Sequence, residues 1–242
     1  MDEPSASVVA VPPGDSPVSR ARVVLIGGGP GAPDLVTVRA ARVLAAADVV
    51  IWGRPFASEE LVREHARAGA EIVAWPPATM ADIHAVYDRV AGEGLLVARL
   101  FSGDTSVFSR VGEEIAALEE RGVAWEVVPG ITAYAAAAAH LGRELTDGPD
   151  WQPLVVTSLA TLDRAAATGA ALAVYMASRG ATELQQRLQE AGYPPGTPCV
   201  VAHRVGWPEA TVVPCALTEL ATTMIEHAAD GLATMLIAPT SC

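Results

Sequence analysis

Residues 23–37 read Val-Val-Leu-Ile-Gly-Gly-Gly-Pro-Gly-Ala-Pro-Asp-Leu-Val-Thr. The four leading apolar residues make a short buried strand. A turn follows, with glycine at 27, 28, 29 and 31 and proline at 30 and 33. The next segment, Asp34 to Ala47, carries Leu35, Val38, Ala41, Val43 and Leu44 at roughly helical spacing. Strand, glycine turn and helix together make a place where backbone can press against a ligand, because glycine has no Cβ to block the approach. Such a loop points to a nucleotide-like cofactor. Gly27, Gly29 and Ala32 satisfy the dinucleotide pattern with alanine in the last place. That pattern also needs an acid at the end of the second strand to hold a ribose, yet the strand from Asp48 to Trp52 runs into Gly53-Arg54-Pro55. Pro30 and Pro33 also remove amide donors that a pyrophosphate would use. A dinucleotide oxidoreductase is therefore disfavoured.

Bulk properties narrow the classes further. The chain has 242 residues, enough for one large domain or two small ones, and a formal net charge of −12. Nucleic-acid binding needs clustered Lys and Arg, so no nucleic-acid partner is expected. Alanine-rich segments and a 51% hydrophobic content indicate a well-buried α/β protein. No apolar run reaches the roughly 18–20 residues of a membrane span. Residues 1–21 are rich in Pro, Ser, Ala and Asp and lack a basic start followed by an apolar core, so they read as a disordered tail, not a signal peptide. Cys199, Cys215 and Cys242 show no paired spacing and the five histidines form no HxH or HxxxH cluster. No metal site or disulfide framework is expected, and reduced cytoplasmic thiols are the default.

Along the chain, strands are expected at 49–52, 71–74, 95–100 and 125–128. Helices are expected near 58–68, 80–92 and 110–121, the first capped by Ser58 with Glu59 and Glu60 at its positive end. This alternation calls for parallel strands with crossover helices. The second half changes character. A small-residue helix at 133–141 precedes strands at 153–158, 171–176, 199–203, 210–215 and 232–238, with helices near 182–191 and 217–227. A boundary falls between Gly130 and Thr146, which divides the chain into an N-terminal α/β domain over 22–130 and a C-terminal α/β domain over 131–242, with a cleft between them.

Four motifs then take on meaning together: Gly-x-Gly-Pro-Gly-x-x-x-Leu-x-Thr at 27–37, Ser-Gly-Asp-x-Ser-x-Phe at 102–108, Val-Pro-Gly-Ile-Thr at 128–132 and Trp-Pro-Glu at 207–209. This set resembles the tetrapyrrole methylases, S-adenosylmethionine-dependent enzymes of corrin and sirohaem synthesis, over nearly all of Arg22 to Ala238. Within that family, Gly142-Arg143-Glu144-Leu145-Thr146 and Arg204-Val205-Gly206-Trp207-Pro208-Glu209 resemble the precorrin-4 C11-methyltransferase branch.

The resemblance implies two α/β domains, S-adenosylmethionine held in the cleft between them, a homodimer, and a cytoplasmic enzyme methylating an acidic tetrapyrrole in cobalamin biosynthesis. Carried over by motif, the cofactor-binding residues are Pro30, Gly103, Asp104, Val107, Thr132, Ala133, Met176, Val205 and Thr234. Asp104 can offset the sulfonium or accept hydrogen bonds from the cofactor. Read alone, Asp104 equally shapes a turn, Thr132 caps a helix and Met176 fills core. Uroporphyrinogen-type members carry an aspartate at the end of strand two. Here Gly53-Arg54 stands there, and Arg54 is suited to grip a substrate carboxylate. Arg143, Arg204 and Trp207 are further substrate candidates, and Arg110 and Arg179 could add to a basic rim. Trp52, Trp75, Trp151 and Trp207 serve equally as aromatic walls or as packing. No catalytic base is identified. A family member acting on a non-tetrapyrrole acceptor and a non-catalytic ligand-binding subunit of the same fold remain alternatives.

Overall fold

A computed structural model describes residues 22–54, 57–146, 153–228 and 230–238. The tail at 1–21, Trp151 and Cys242 lie outside the described residues. The first sheet contains β1 (Arg22–Gly27), β2 (Val49–Gly53), β3 (Glu71–Trp75), β4 (Leu96–Phe101) and β5 (Ala124–Val128) in the order β3-β2-β4-β1-β5. Every pairing in it is parallel, as the strand–helix alternation requires.

Successive residues of β1 face opposite sides of this sheet. Val24 and Ile26 pack with Ala40 and Leu44 of α1 (Val38–Ala46) and with Leu61 and Val62 of α2 (Glu59–His65). Val23 and Leu25 pack with Ile83, Val86, Tyr87 and Val90 of α3 (Met80–Glu93) and with Leu118 of α4 (Val111–Glu119). Burial on both faces explains why the inner strands β1, β2 and β4 read as nearly continuous apolar runs.

The helix expected over 34–47 is broken. Pro33–Leu35 forms a single 3₁₀ turn, and α1 starts at Val38, where Thr37 Oγ1 accepts a hydrogen bond from the Ala40 amide at 3.2 Å. A capping threonine in extended conformation ends one element and begins the next. Ser58 caps α2 in the expected way, accepting from the Leu61 amide at 3.0 Å.

The second sheet contains β6 (Leu154–Ser158), β7 (Ala171–Tyr175), β8 (Pro198–His203), β9 (Thr211–Ala216) and β10 (Ala233–Ile237) in the order β6-β7-β10-β8-β9. Only β6 and β7 run parallel; β10 is antiparallel to both β7 and β8, and β8 to β9. Three helices cover one face: α6 (Leu162–Ala166), α7 (Ala181–Glu190) and α8 (Leu220–His227). On the other face Ala136 and Ala137 of α5 (Ala133–Leu141) meet Ala173, Ala202 and Leu236. Alanine on both sides lets the linking helix lie close to the sheet. Short α6 was not expected, since five residues are too few to show a helical period. Met176, expected to end β7, instead follows it with φ +53°.

Candidate functional site

The connection from β1 runs to β2 on one side of the first sheet, whereas that from β4 runs to β5 on the other. This reversal opens a crevice outside the carboxyl ends of β1 and β4. There the backbone is tightly knotted. Gly28 donates to Phe101 O at 2.8 Å, and Gly29 and Gly103 exchange N–H···O bonds at 3.0 and 2.9 Å. A Cβ placed on Gly130 would lie 2.1 Å from Gly103 O, and one on Gly27 would lie 2.5 Å from Gly130 N. These glycines let three loops press on one another, so the close approach anticipated between backbone and ligand at Gly27 is an approach between loops.

Asp104 ties the knot. Oδ2 accepts from the Gly130 amide at 2.7 Å, while Oδ1 accepts from the Ser106 amide at 2.9 Å and from the Ser106 hydroxyl. The side chain is buried, at 7% exposure. Burial works to raise its pKa, but the bonds from Ser106 and Gly130 prevail and hold the carboxyl below the usual range. Both oxygens serve the loops, which is the turn-shaping reading of this residue.

A small cavity of about 160 Å³ opens beside the knot. Pro30, Gly103, Ala133, Met176, Val205 and Thr234 line it, together with Arg204 and Trp207. Small residues (Gly103, Ala133, Ala202, Gly231 and Ala233) make up part of its wall, and Tyr175 and Leu232 also line it. Thr132 precedes α5 but makes no side-chain cap. Its hydroxyl and that of Thr234 lie beside the Tyr175 phenol, which accepts from the Tyr134 amide at 3.1 Å. Burial raises the Tyr175 pKa against these hydrogen bonds, so the phenol is neutral at neutral pH.

A larger cleft of about 780 Å³ adjoins it, sharing Ser102, Gly103, Ala133, Tyr175 and Met176. Asp104, Val107 and Thr132 face this second space. Trp75, Met80, His84, Leu100 and Phe101 form much of its wall. Phe108 from the β4 side meets Tyr175 from the second sheet, with ring centroids 5.4 Å apart. Among the described residues four non-glycine residues have left-handed backbone, Phe108, Arg110, Met176 and Arg204, and all four line these two spaces. Such conformations persist where surrounding structure enforces them, often at functional sites.

One buried group escaped sequence reasoning. Arg99, in the middle of β4 and 8% exposed, pairs with Glu114 of α4 at 3.0 Å. Glu114 also accepts from the Tyr87 hydroxyl at 2.6 Å, and the Arg99 guanidinium lies 5.0 Å from the Phe101 ring centre. Burial, then the charge of Glu114, pushes the Tyr87 phenol far up. The available signal was an arginine inside Leu-Leu-Val-Ala-Arg-Leu-Phe: a cation in a buried strand requires an anion from another element.

The substrate candidates separate. Arg54 is exposed and does not line the large cleft, although Gly53 before it does; its amide donates to Trp75 O at 2.9 Å. Arg143 is exposed and lines neither space, as is the case for Arg179. Arg204 and Trp207 border the small cavity, not the large one. Arg110, on the large cleft, is paired with Glu113 at 2.6 Å. Of the tryptophans, Trp52 is core and Trp75 is cleft wall.

Comparison with known proteins agrees with this geometry. Residues 22–221 match the family model described as Tetrapyrrole (Corrin/Porphyrin) Methylases. A precorrin-4 C(11)-methyltransferase of Sinorhizobium sp. is 38% identical over 229 residues, 90% of this chain and 89% of that protein. Among solved structures, a cobalt precorrin-4 methyltransferase superposes with a TM-score of 0.84 at 28% identity, covering 91% of this chain and 95% of the other. A uroporphyrin-III C-methyltransferase from Thermus thermophilus, complexed with S-adenosylhomocysteine, gives a TM-score of 0.76 at 29% identity, covering 90% and 98%.

Proposed function

The chain belongs to the tetrapyrrole methylase family, and from that premise we propose that it is an S-adenosylmethionine-dependent methyltransferase that methylates precorrin-4 or cobalt-precorrin-4 at C11 in cobalamin biosynthesis. The observation that carries this reading is the pair of adjoining cavities, one small, the other large and aromatic, meeting at Gly103, Ala133, Tyr175 and Met176. Two ligands of unequal size would meet there with little water between them. The names of the relatives from Sinorhizobium, Rhodococcus erythropolis and Mycobacterium tuberculosis support the acceptor.

The residues of the small cavity fit an adenosyl cofactor. Gly103, Ala133, Ala202 and Ala233 leave room against the backbone, and Thr234 brings a buried hydroxyl. Pro30, Val205 and Met176 supply apolar walls, Thr132 stands beside them, and Val107 and Asp104 complete the loop after β4. When bound, S-adenosylmethionine supplies an electrophilic methyl on a sulfonium sulfur. The protein's own part is to hold the two partners in line and exclude water, which accounts for most of the acceleration in such a displacement. Asp104 keeps the knot rigid and places a fixed negative charge near the cavity wall. No side chain is assigned to proton removal. The division at 130/131, a homodimer and a cytoplasmic location belong to the same proposal and rest on the resemblance; among the described residues no helix is long and apolar enough to cross a membrane.

A second reading, a family member with a less acidic acceptor, is favoured by one feature. Arg99 and Arg110, the arginines that line the large cleft, are each paired with a glutamate. Calorimetric titration with S-adenosylhomocysteine, followed by transfer of labelled methyl to precorrin-4, cobalt-precorrin-4 or uroporphyrinogen III, decides between them. Binding with turnover of a precorrin-4 substrate is expected. Binding with none of the three methylated selects the second reading, and absence of binding removes both.

A further inference from the structure

We propose that Trp207 is a positioning residue for the cofactor, locking the first glycine loop to the second sheet, and that Arg204 holds its indole in place. This rests on the reading that the small cavity takes an adenosyl cofactor. Trp207 lies in the turn between β8 and β9, and its Nε1–H donates to Pro30 O at 3.0 Å across 177 residues of sequence. The contact is shaped on both sides. A Cβ on Gly31 would stand 2.3 Å from both Cδ1 and Nε1 of the indole, so glycine at 31 is what admits the ring. A Cβ on Gly206 would lie 3.2 Å from Ala32 N and from the Pro30 ring, so the two turns touch along their length.

The indole is gripped from behind. The Arg204 guanidinium lies 5.3 Å from the Trp207 ring centre. It donates to Asp230 at 3.0 Å and to Glu209 at 3.3 Å, while His203 approaches the other Asp230 oxygen at 2.7 Å. The Trp207 amide donates to Arg204 O at 2.9 Å, which closes the turn that carries Val205. Two walls of the small cavity, Pro30 and Val205, therefore have their separation set by one hydrogen bond and one stacked cation. Trp207 touches the cofactor loop and lines no part of the large cleft, so its work is on the first ligand and not on the acceptor.

The test is calorimetric titration of S-adenosylhomocysteine into the wild type, W207F and R204Q, with denaturant unfolding of each. W207F keeps an aromatic ring but loses the indole N–H and the packing of its five-membered ring, so binding about five- to tenfold weaker is expected. R204Q leaves the donor and removes the cation, and about a threefold loss is expected. A Trp207 that only stabilises the fold would lower the unfolding midpoint and leave the affinity of the folded protein unchanged in both variants. That result overturns the inference while the cofactor reading stands. A wild type that binds no S-adenosylhomocysteine overturns the cofactor reading and this inference with it.

Discussion

The two halves of the site are built from different materials. Beside the small cavity stands a knot of backbone: glycine loops from β1, β4 and β5, bound to each other by Gly28, Gly29 and Gly103 and tied by Asp104. The large cleft is made of side chains, with a buried ion pair at its floor and aromatic rings on its walls. Backbone geometry accepts few alternative residues, whereas a side-chain wall tolerates many. The first half should fail abruptly when altered, and the second gradually.

Gly130→Ala tests the abrupt case. Its Cβ would meet Gly103 O at 2.1 Å, a backbone atom that no rotamer change can move. A loss above about 4 kcal/mol is expected, beyond the ordinary range for single substitutions. Denaturant unfolding reads it, and loss of S-adenosylhomocysteine binding should accompany it. A folded protein with near-native stability would show that the loops yield and that the contrast between the two regions is false.

Glu114→Ala should come next. It leaves the Arg99 guanidinium buried without an anion and the Tyr87 hydroxyl without an acceptor, at a cost of about 3–5 kcal/mol. The double replacement Arg99→Met with Glu114→Leu removes both charges together and should recover most of that loss. Failure of the double variant to recover would mean that the pair does more than satisfy itself.

How much of this was legible follows the same division. The first sheet could be read because its inner strands β1, β2 and β4 are buried almost throughout, and α1, α2 and α3 each carry an apolar stripe behind a capping Thr37, Ser58 or Thr79. The motifs at 27–37, 102–108 and 128–132 could be read because glycine and proline mark turns that few other residues allow. The chain signalled that the glycines mattered; it did not signal that Gly27 and Gly130 face other loops instead of a ligand. Insertion of β10 between β7 and β8 was not legible, since strand order in a mixed sheet is settled by packing between distant segments. The Arg99–Glu114 pair was missed for a simpler reason. A single arginine in an apolar strand was passed over, although its burial demanded a partner. From sequence Trp207 fits an aromatic wall for a flat substrate as well as it fits packing; only the fold brings it to Pro30, 177 residues away.

Asp104→Asn measures the tie itself. The amide can still accept at one oxygen but opposes a donor to either the Gly130 or the Ser106 amide, so a loss of about 1–3 kcal/mol is expected. The carboxyl pKa is lowered on folding. Its contribution is therefore complete above the unfolded-state pKa of about 3.9 and declines as pH falls through the lower folded value. Thermal unfolding of wild type and variant should differ by a constant amount from pH 8 to about 5, and the gap should begin to close only below about 4. A gap that persists in acid would assign the effect to shape and not to charge.

The smallest effect should come from Arg54→Ala, which asks whether the large cleft attracts its acceptor by charge. Arg99 is buried and committed to Glu114, so it cannot turn to a new anion without stranding the old one. Arg54 follows Gly53, which lines the cleft, and it is exposed, with no ion pair from its side chain among the described residues. An exposed ion pair is worth about 0–1 kcal/mol, so the variant should raise KM for an anionic tetrapyrrole by no more than about fivefold and leave kcat unchanged. Added salt should erase the difference, because exposed charges are screened within about 10 Å at 0.1 M. Equal KM values at low salt would mean that charge at Arg54 plays no part in recognition. The acceptor would then be selected by the aromatic and apolar walls at Trp75, Phe101 and Phe108, the arrangement that suits a less acidic molecule.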